Sequence, residues 1–196
     1  LAESMLMTAR TLVEKEPNYS YVTARLLLNN MENEVGAFLG IKERKDRGKM
    51  YVEALTKTID KGIELDFLNE ELKSYDLNKI GKAILQERDF QFTYLGLQTL
   101  YDRYFITCDE IRYELPQVFF MRVAMGLALN EENRDERAIE FYKLLSSFDY
   151  MSSTPTLFNS GTQRPQLSSC YLTTVPDDLS GIYGCLLYTS DAADEL

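Results

Sequence analysis

The sequence contains no histidine, and that absence removes several classes of active site. A Ser-His-Asp or Cys-His arrangement needs an imidazole as its base, and most zinc sites use imidazole nitrogens as ligands. The glycine-rich loops that P-loop enzymes and dinucleotide-binding folds use to hold phosphates are missing too. Three cysteines, Cys108, Cys170 and Cys185, are too few for a disulfide-bonded scaffold.

Long apolar runs and clusters of basic residues are also missing. No stretch reaches the length of a membrane-spanning helix, and no basic-then-apolar leader is visible. The formal net charge is −10, so the chain offers few basic residues for contacts with nucleic-acid phosphates. We therefore expect no membrane and no nucleic-acid partner, although a nucleotide can still bind at a local amide-lined site. The sparse cysteines and the missing leader predict a cytoplasmic location.

Helical periodicity runs through most of the chain. Its 196 residues, 45% of them hydrophobic, suffice for one domain or parts of two with an apolar core. Apolar residues recurring every three or four positions predict a mainly α-helical protein. Asp76 is predicted to cap one helix, and Pro116 fits the first turn of another. The predicted helices span 1–15, 19–31, 50–61, 69–75, 77–86, 93–103, 116–129 and 134–147.

The pattern changes after Asp149. Two segments, 151–153 and 167–173, are typical of strands, and the loop between them contains proline and glycine. Asp177 or Asp178 is then predicted to cap a further helix. The end of the chain is therefore expected to combine strands with helices.

Cys170 lies in a stretch from Ser152 to Leu172 that surrounds one thiol with small hydroxyl side chains. Hydroxyls and backbone amides hold polar substrates, and a thiol performs redox chemistry. A lone free cysteine also packs well as a small apolar residue. From these residues alone, a redox site and a buried structural cysteine both stay open.

Several stretches resemble one protein family, in the order in which that family has them. TPTLFNSGT at 154–162, followed by RPQLSSC at 164–170, is similar to the start of the catalytic barrel in the large subunit of class I ribonucleotide reductase. ELPQ and MRVAMGL, within 114–127, resemble the helix before that barrel. FTYLGLQTL at 92–100 is similar to the helical linker, and PNYSY with ARL at 17–26 to the end of the nucleotide-binding cone.

The resemblance implies a mainly α-helical region that leads into the first strands of a ten-stranded α/β barrel. It divides the chain into the end of an ATP-cone-like regulatory domain at 1–33, a helical linker domain at 34–148 and the start of the catalytic barrel at 149–184. Residues 185–196 depart from the family pattern. They resemble a translated transposon-end sequencing adapter more than a natural acidic tail, so we expect an artefact of cloning or assembly.

The same resemblance implies reduction of ribonucleoside diphosphates to deoxyribonucleoside diphosphates by thiyl-radical chemistry. Cys170 would belong to the pair of thiols that reduces the substrate and becomes a disulfide. Thr154 and Ser169 match positions that contact the substrate. The alternative for each is a hydroxyl bonded to its own local backbone.

Effector sites are implied as well. Asp177, Asp178 and Leu179 match the segment that binds the specificity effector, a deoxynucleoside triphosphate. An acid there also suits a helix cap, and the two roles can coexist. ATP would bind in the regulatory cone, where Asn33 replaces a basic residue that the family pattern leads us to expect. The site is either lost or modified.

The implied partners are those of the family. A metal-containing small subunit would supply the radical, a thioredoxin or glutaredoxin would restore the thiols, and the large subunits would form a homodimer. We expect no cofactor bound directly to this segment. We also expect this polypeptide alone to be inactive, since the other reacting thiols lie later in the family sequence. A cobalamin-dependent relative and a non-catalytic helical interaction module stay open as alternatives.

Overall fold

The computed structural model describes residues 2–42, 45–170, 172 and 174–184, and helices make up most of them. The mainly α-helical fold is thereby confirmed. The predicted artefact at 185–196 lies outside the described residues. In chain order the helices are α1 (Ala2–Thr11), α2 (Tyr19–Phe38), α3 (Arg47–Glu64), α4 (Leu77–Lys82), α5 (Tyr94–Arg103), α6 (Pro116–Leu127), α7 (Arg134–Ser146) and α8 (Thr154–Asn159).

Shorter elements connect these helices. Glu70–Ser74 and Gln86–Gln91 form 3₁₀-helices on either side of α4. Strand β1 (Thr107–Cys108) pairs with β2 (Ile111–Arg112) in an antiparallel hairpin between α5 and α6. Residues 179–184 are also helical. Among the described residues, no helix has both the length and the apolar character needed to cross a bilayer.

Helix α6 forms the centre of the core. Every residue from Pro116 to Met125 is buried, because the apolar side chains of α6 surround its whole circumference. Helices α3 and α7 and the 3₁₀-helix Gln86–Gln91 pack around it. A charged side chain in such a helix needs a partner of opposite charge. Arg122 is the charged residue that α6 buries.

Two helices, α2 and α3, end later than the sequence predicts, and tertiary packing acts at both ends. The helix predicted at 50–61 ends before Gly62, a residue that often ends helices, but α3 continues to Glu64. A Cβ atom at Gly62 would lie 2.5 Å from Cδ1 of Leu68, so this glycine allows close packing. Helix α2 continues past Met31 to Phe38 because Val35 also packs in the core. The predicted domain boundary at 33/34 falls within α2 and stays a prediction.

The Asp76 cap is confirmed, since its Oδ1 accepts a hydrogen bond from the backbone amide of Lys79 at 2.9 Å. Replacing Asp76 by alanine should lower the free energy of unfolding by about 1 kcal/mol, because a first-turn amide loses its partner. Urea denaturation measures this loss. Asp60→Ala is the control, because it removes only an exposed ion pair to Lys73 and should cost less than about 0.5 kcal/mol. Equal losses in both variants would contradict the capping role.

The strand predicted at 151–153 is wrong, and the described part of 167–173 contains no strand either. Positions 171 and 173 lie outside the described residues. Ser153 is the N-cap residue of α8, and Pro155 lies in its first turn, where its fixed φ suits a helix. The nearest approach to a sheet in this region is one antiparallel bridge between Leu68 and Thr162. The continuation into a barrel stays a prediction.

Candidate functional site

A tight turn at Ser160 and Gly161 fastens the end of α8 to α6. The hydroxyl of Ser160 donates to the carbonyl of Val123 at 2.7 Å. Gly161 has a φ of +78°, which favours glycine, and its carbonyl accepts from the amide of Asn69 at 3.0 Å. A Cβ atom on Gly126 would lie 2.1 Å from the backbone nitrogen of Gly161. The helix and the turn are therefore in direct backbone contact.

A buried ion pair supports this turn. Arg122 and Glu114 both have fully buried side chains. Nε of Arg122 donates to Oε1 of Glu114 at 2.7 Å, and Nη2 donates to Oε2 at 3.2 Å. Nη1 donates to the carbonyl of Ser160 at 2.7 Å. Glu114 also accepts from the amide of Ile106 at 2.9 Å, so each buried charge has several partners.

The segment beyond the turn folds back along α8. The side chain of Asn159 donates to the carbonyl of Gln166 at 2.7 Å. The hydroxyl of Thr156 donates to the carbonyl of Leu167 at 3.1 Å. These two bonds hold the backbone shortly before Cys170.

Cys170 itself is exposed and carries a free thiol. Its Sγ lies 3.7 Å from Oγ of Ser169, within reach of a weak hydrogen bond. The interpretation of Cys170 as a buried structural cysteine is wrong for this structure. An exposed thiol on a held segment is available for redox chemistry.

Thr154 begins α8, and its Oγ1 lies 3.3 Å from the hydroxyl of Tyr104. The Tyr104 ring stacks on Phe158 with 4.6 Å between ring centroids. The fold thus places Thr154 on α8 and Ser169 and Cys170 on the segment that is bonded to α8.

Asp177, Asp178 and Leu179 form a separate group. Oδ1 of Asp178 accepts from the amide of Gly181 at 2.8 Å, so Asp178 is the cap of the helical residues 179–184. Leu179 is 71% exposed. Within the described part of the chain, no hydrogen bond joins these residues to Thr154 or Ser169. Their predicted role in effector binding stays a prediction.

A second buried polar cluster surrounds Asp89 and ties α3 to α6. Asp89 accepts a short hydrogen bond from the hydroxyl of Tyr51 and one from Nε2 of Gln117 at 2.9 Å. Arg47 donates to it at 3.1 Å and also bonds Glu32 of α2 at 2.7 Å. Burial raises the pKa of Asp89 from 3.8 to about 6, although its three donors act in the opposite direction.

This pKa gives a testable dependence of stability on pH. Between pH 4 and pH 6 the folded chain holds a proton on Asp89 that the unfolded chain has released, so raising the pH removes stability in this window. Asp89→Asn removes that titration. From pH 4 to pH 7, the wild type should therefore lose of order 2 kcal/mol relative to Asp89→Asn. Urea unfolding of both proteins across this range measures the difference, and a constant difference would contradict it.

Sequence reasoning missed the residues that hold the turn. Glu114, Arg122 and Gly126 lie in or just before α6, whereas Ser160 follows α8. The sequence signal for this cluster was Arg122, the charged residue in a mostly apolar helix, because a buried charge needs a partner. No periodicity in the sequence names that partner. Among the described residues, no group of three or more acidic or cysteine side chains could hold a metal ion.

Comparison with known proteins gives consistent similarities. Residues 90–165 match the family described as ribonucleotide reductase, all-alpha domain. The chain is 49% identical over 179 residues to the ribonucleoside-diphosphate reductase subunit alpha of Chlamydia muridarum, covering 91% of this chain and 17% of that protein. It is 38% identical over 187 residues to the subunit alpha of Helicobacter pylori, covering 93% of this chain and 22% of that protein.

The similarity extends to animals. The chain is 34% identical over 180 residues to the ribonucleoside-diphosphate reductase large subunit of Danio rerio, covering 91% of this chain and 22% of that protein. The chain thus spans about a fifth of the length of the curated relatives that it matches.

Proposed function

We propose that this chain, whose residues 90–165 belong to the ribonucleotide reductase all-alpha domain family, is part of a large subunit that reduces ribonucleoside diphosphates. The relatives named above share at least a third of their aligned residues with it. The observation in the structure that supports the proposal best is the exposed thiol of Cys170 beside the hydroxyl of Ser169.

The reaction exchanges the 2′-hydroxyl of the ribose for hydrogen. A thiyl radical takes the 3′ hydrogen, and the C2′–O bond then breaks as the hydroxyl takes a proton from a thiol and leaves as water. Two thiols together give up two hydrogens and become a disulfide, and the 3′ hydrogen returns to the sugar. We assign Cys170 to this reducing pair, with its companion thiol in the part of the protein beyond this chain.

The neighbouring hydroxyls suit a nucleotide substrate. Thr154 at the start of α8 and Ser169 next to the thiol can donate to oxygens of the diphosphate or ribose. The bonds from Thr156 and Asn159 to the backbone hold the Cys170 segment against α8. Substrate and thiol would therefore be held by one structural unit, as efficient transfer requires.

Regulation and partners belong to the same proposal. Asp177, Asp178 and Leu179 would contact a deoxynucleoside triphosphate effector, with Asp178 keeping its role as a cap. ATP would act at the cone. A metal-containing small subunit would supply the radical, and a thioredoxin or glutaredoxin would reduce the disulfide again. The large subunits would pair as a homodimer in the cytoplasm, where a reducing environment maintains free thiols.

A reductase assay on the natural full-length protein tests the proposal. Incubated with its small subunit, a dithiol reductant and a radiolabelled ribonucleoside diphosphate, the protein should release the deoxyribonucleoside diphosphate. A control without the small subunit should form no product. No product in the complete mixture, from folded protein that binds the nucleotide, would overturn the proposal.

The same assay distinguishes the proposed two-subunit enzyme from the cobalamin-dependent alternative. The names of the relatives, subunit alpha and large subunit, favour an enzyme with two kinds of subunit. The proposed enzyme should need its small subunit and gain nothing from added adenosylcobalamin. Turnover with adenosylcobalamin in the absence of the small subunit would favour the alternative.

A further inference from the structure

Arg122 uses its guanidinium group in two directions at once. Nε and Nη2 face the carboxylate of Glu114, and Nη1 faces the carbonyl of Ser160 at 2.7 Å. Only the planar fork of arginine can reach both partners from one buried position. The carboxylate balances the charge, and the remaining donor is directed at the turn.

The turn is a rigid point in an otherwise exposed segment. Ser160 is buried and also bonds Val123 through its hydroxyl, so two bonds join it to α6. Gly161 lies against Gly126 with no space for a methyl group between them. The chain then runs over the surface to the exposed Cys170. The position of this turn therefore sets where the segment that carries the thiol begins.

We infer that Arg122 is a positioning residue for the Cys170 thiol: through its bond to the carbonyl of Ser160, it fixes the turn from which the Cys170 segment extends. This inference rests on the proposed reduction of ribonucleotides. It adds a residue that does not touch the substrate and acts through the backbone. The expected consequence is a loss of turnover that exceeds any loss of substrate binding.

The test uses the full-length protein with its small subunit and a dithiol reductant. Arg122→Lys keeps a positive charge opposite Glu114 but loses the fork that also reaches Ser160. Ser160→Ala is a milder second variant, since it removes only the hydroxyl bond to Val123. Tyr142→Phe is the matched control. It removes buried hydrogen bonds to Gln117 and to the amide of Leu85 and leaves the turn untouched.

Arg122→Lys should lower kcat by about 10-fold to 100-fold, while KM for the ribonucleoside diphosphate changes less than about threefold, because small displacements of reacting groups cost that much in rate. Ser160→Ala should lower kcat by a smaller factor, again with little change in KM. Tyr142→Phe should keep wild-type kcat. If Ser160→Ala and any folded Arg122→Lys both match Tyr142→Phe, the inference is wrong. If the wild type makes no product, the proposed function itself fails.

Discussion

Replacing Cys170 by alanine in the full-length protein should abolish turnover supported by thioredoxin or glutaredoxin. Alanine can neither protonate a departing hydroxyl nor join a disulfide, so the reducing step loses one of its two reactants. We expect a fall of about 10³-fold or more, the order of loss when a reacting group is removed. Cys170 is exposed in the part of the protein that the structure describes, so the substitution should leave the helical fold of this part intact.

Cys108 provides a matched control for this substitution. It is a second free cysteine, half-buried in the β1–β2 hairpin, with no hydroxyl-rich segment around it. Cys108→Ala should keep close to wild-type turnover in the same assay. Equal activity of the two variants would contradict a reducing role for Cys170 and favour the non-catalytic helical module.

Replacing Gly126 by alanine should cause the largest loss of stability among the glycines of the core. The added methyl group would meet the backbone nitrogen of Gly161 at 2.1 Å and the hydroxyl of Ser160 at 2.4 Å. The nitrogen and Cα of Gly161 are backbone atoms, so they cannot move aside as the end of a flexible side chain could. We expect the free energy of unfolding to fall by about 3 kcal/mol or more, at the upper end for overpacking.

Gly96→Ala is the matched control because Gly96 also lies within a helix, but a methyl group there would make only ordinary contacts. Its nearest contact would be the hydroxyl of Thr93 at 3.5 Å, an ordinary van der Waals distance. Alanine should stabilise α5 by about 0.5–1 kcal/mol, since it restricts the unfolded chain. Urea denaturation of both variants measures the difference in their free energies of unfolding. The close contact of α6 with the turn would be refuted if Gly126→Ala were as stable as Gly96→Ala.

The helices could be predicted from the sequence because apolar periodicity acts locally. The cap at Asp76 and the start of α6 at Pro116 follow from residues within one turn of the helix. Helix ends were less predictable. Helix α3 continues through Gly62, whose missing side chain leaves room for Leu68, and that contact is a property of the folded chain.

The segment after Asp149 shows why a composition change is a weak sign of strands. Serine, threonine and proline at 152–156 suit both an extended segment and a helix start. Ser153 takes the N-cap position without a side-chain cap hydrogen bond, and Pro155 suits the first turn of the helix. A strand also needs a neighbour for its backbone groups, and the sequence cannot show whether one lies nearby.

The hydroxyl-rich segment around Cys170 could be recognised from the sequence, whereas its support could not. Glu114, Arg122 and Ser160 meet only because α6 passes beside the end of α8. The ion pair joins residues eight positions apart, but the bond from Arg122 to Ser160 spans 38 positions, and nothing in the local pattern specifies it. The exposure of the thiol likewise follows from the path of the chain after the turn at Gly161.

The proposed function requires Cys170 to give up reducing equivalents to the substrate. Its most direct test is to map the thiols of the full-length protein after a single turnover without external reductant, by alkylation and mass spectrometry. Cys170 should be found in a disulfide in proportion to the deoxyribonucleotide formed, and as a free thiol when substrate is left out. If product forms while Cys170 stays fully open to alkylation, the claim is wrong.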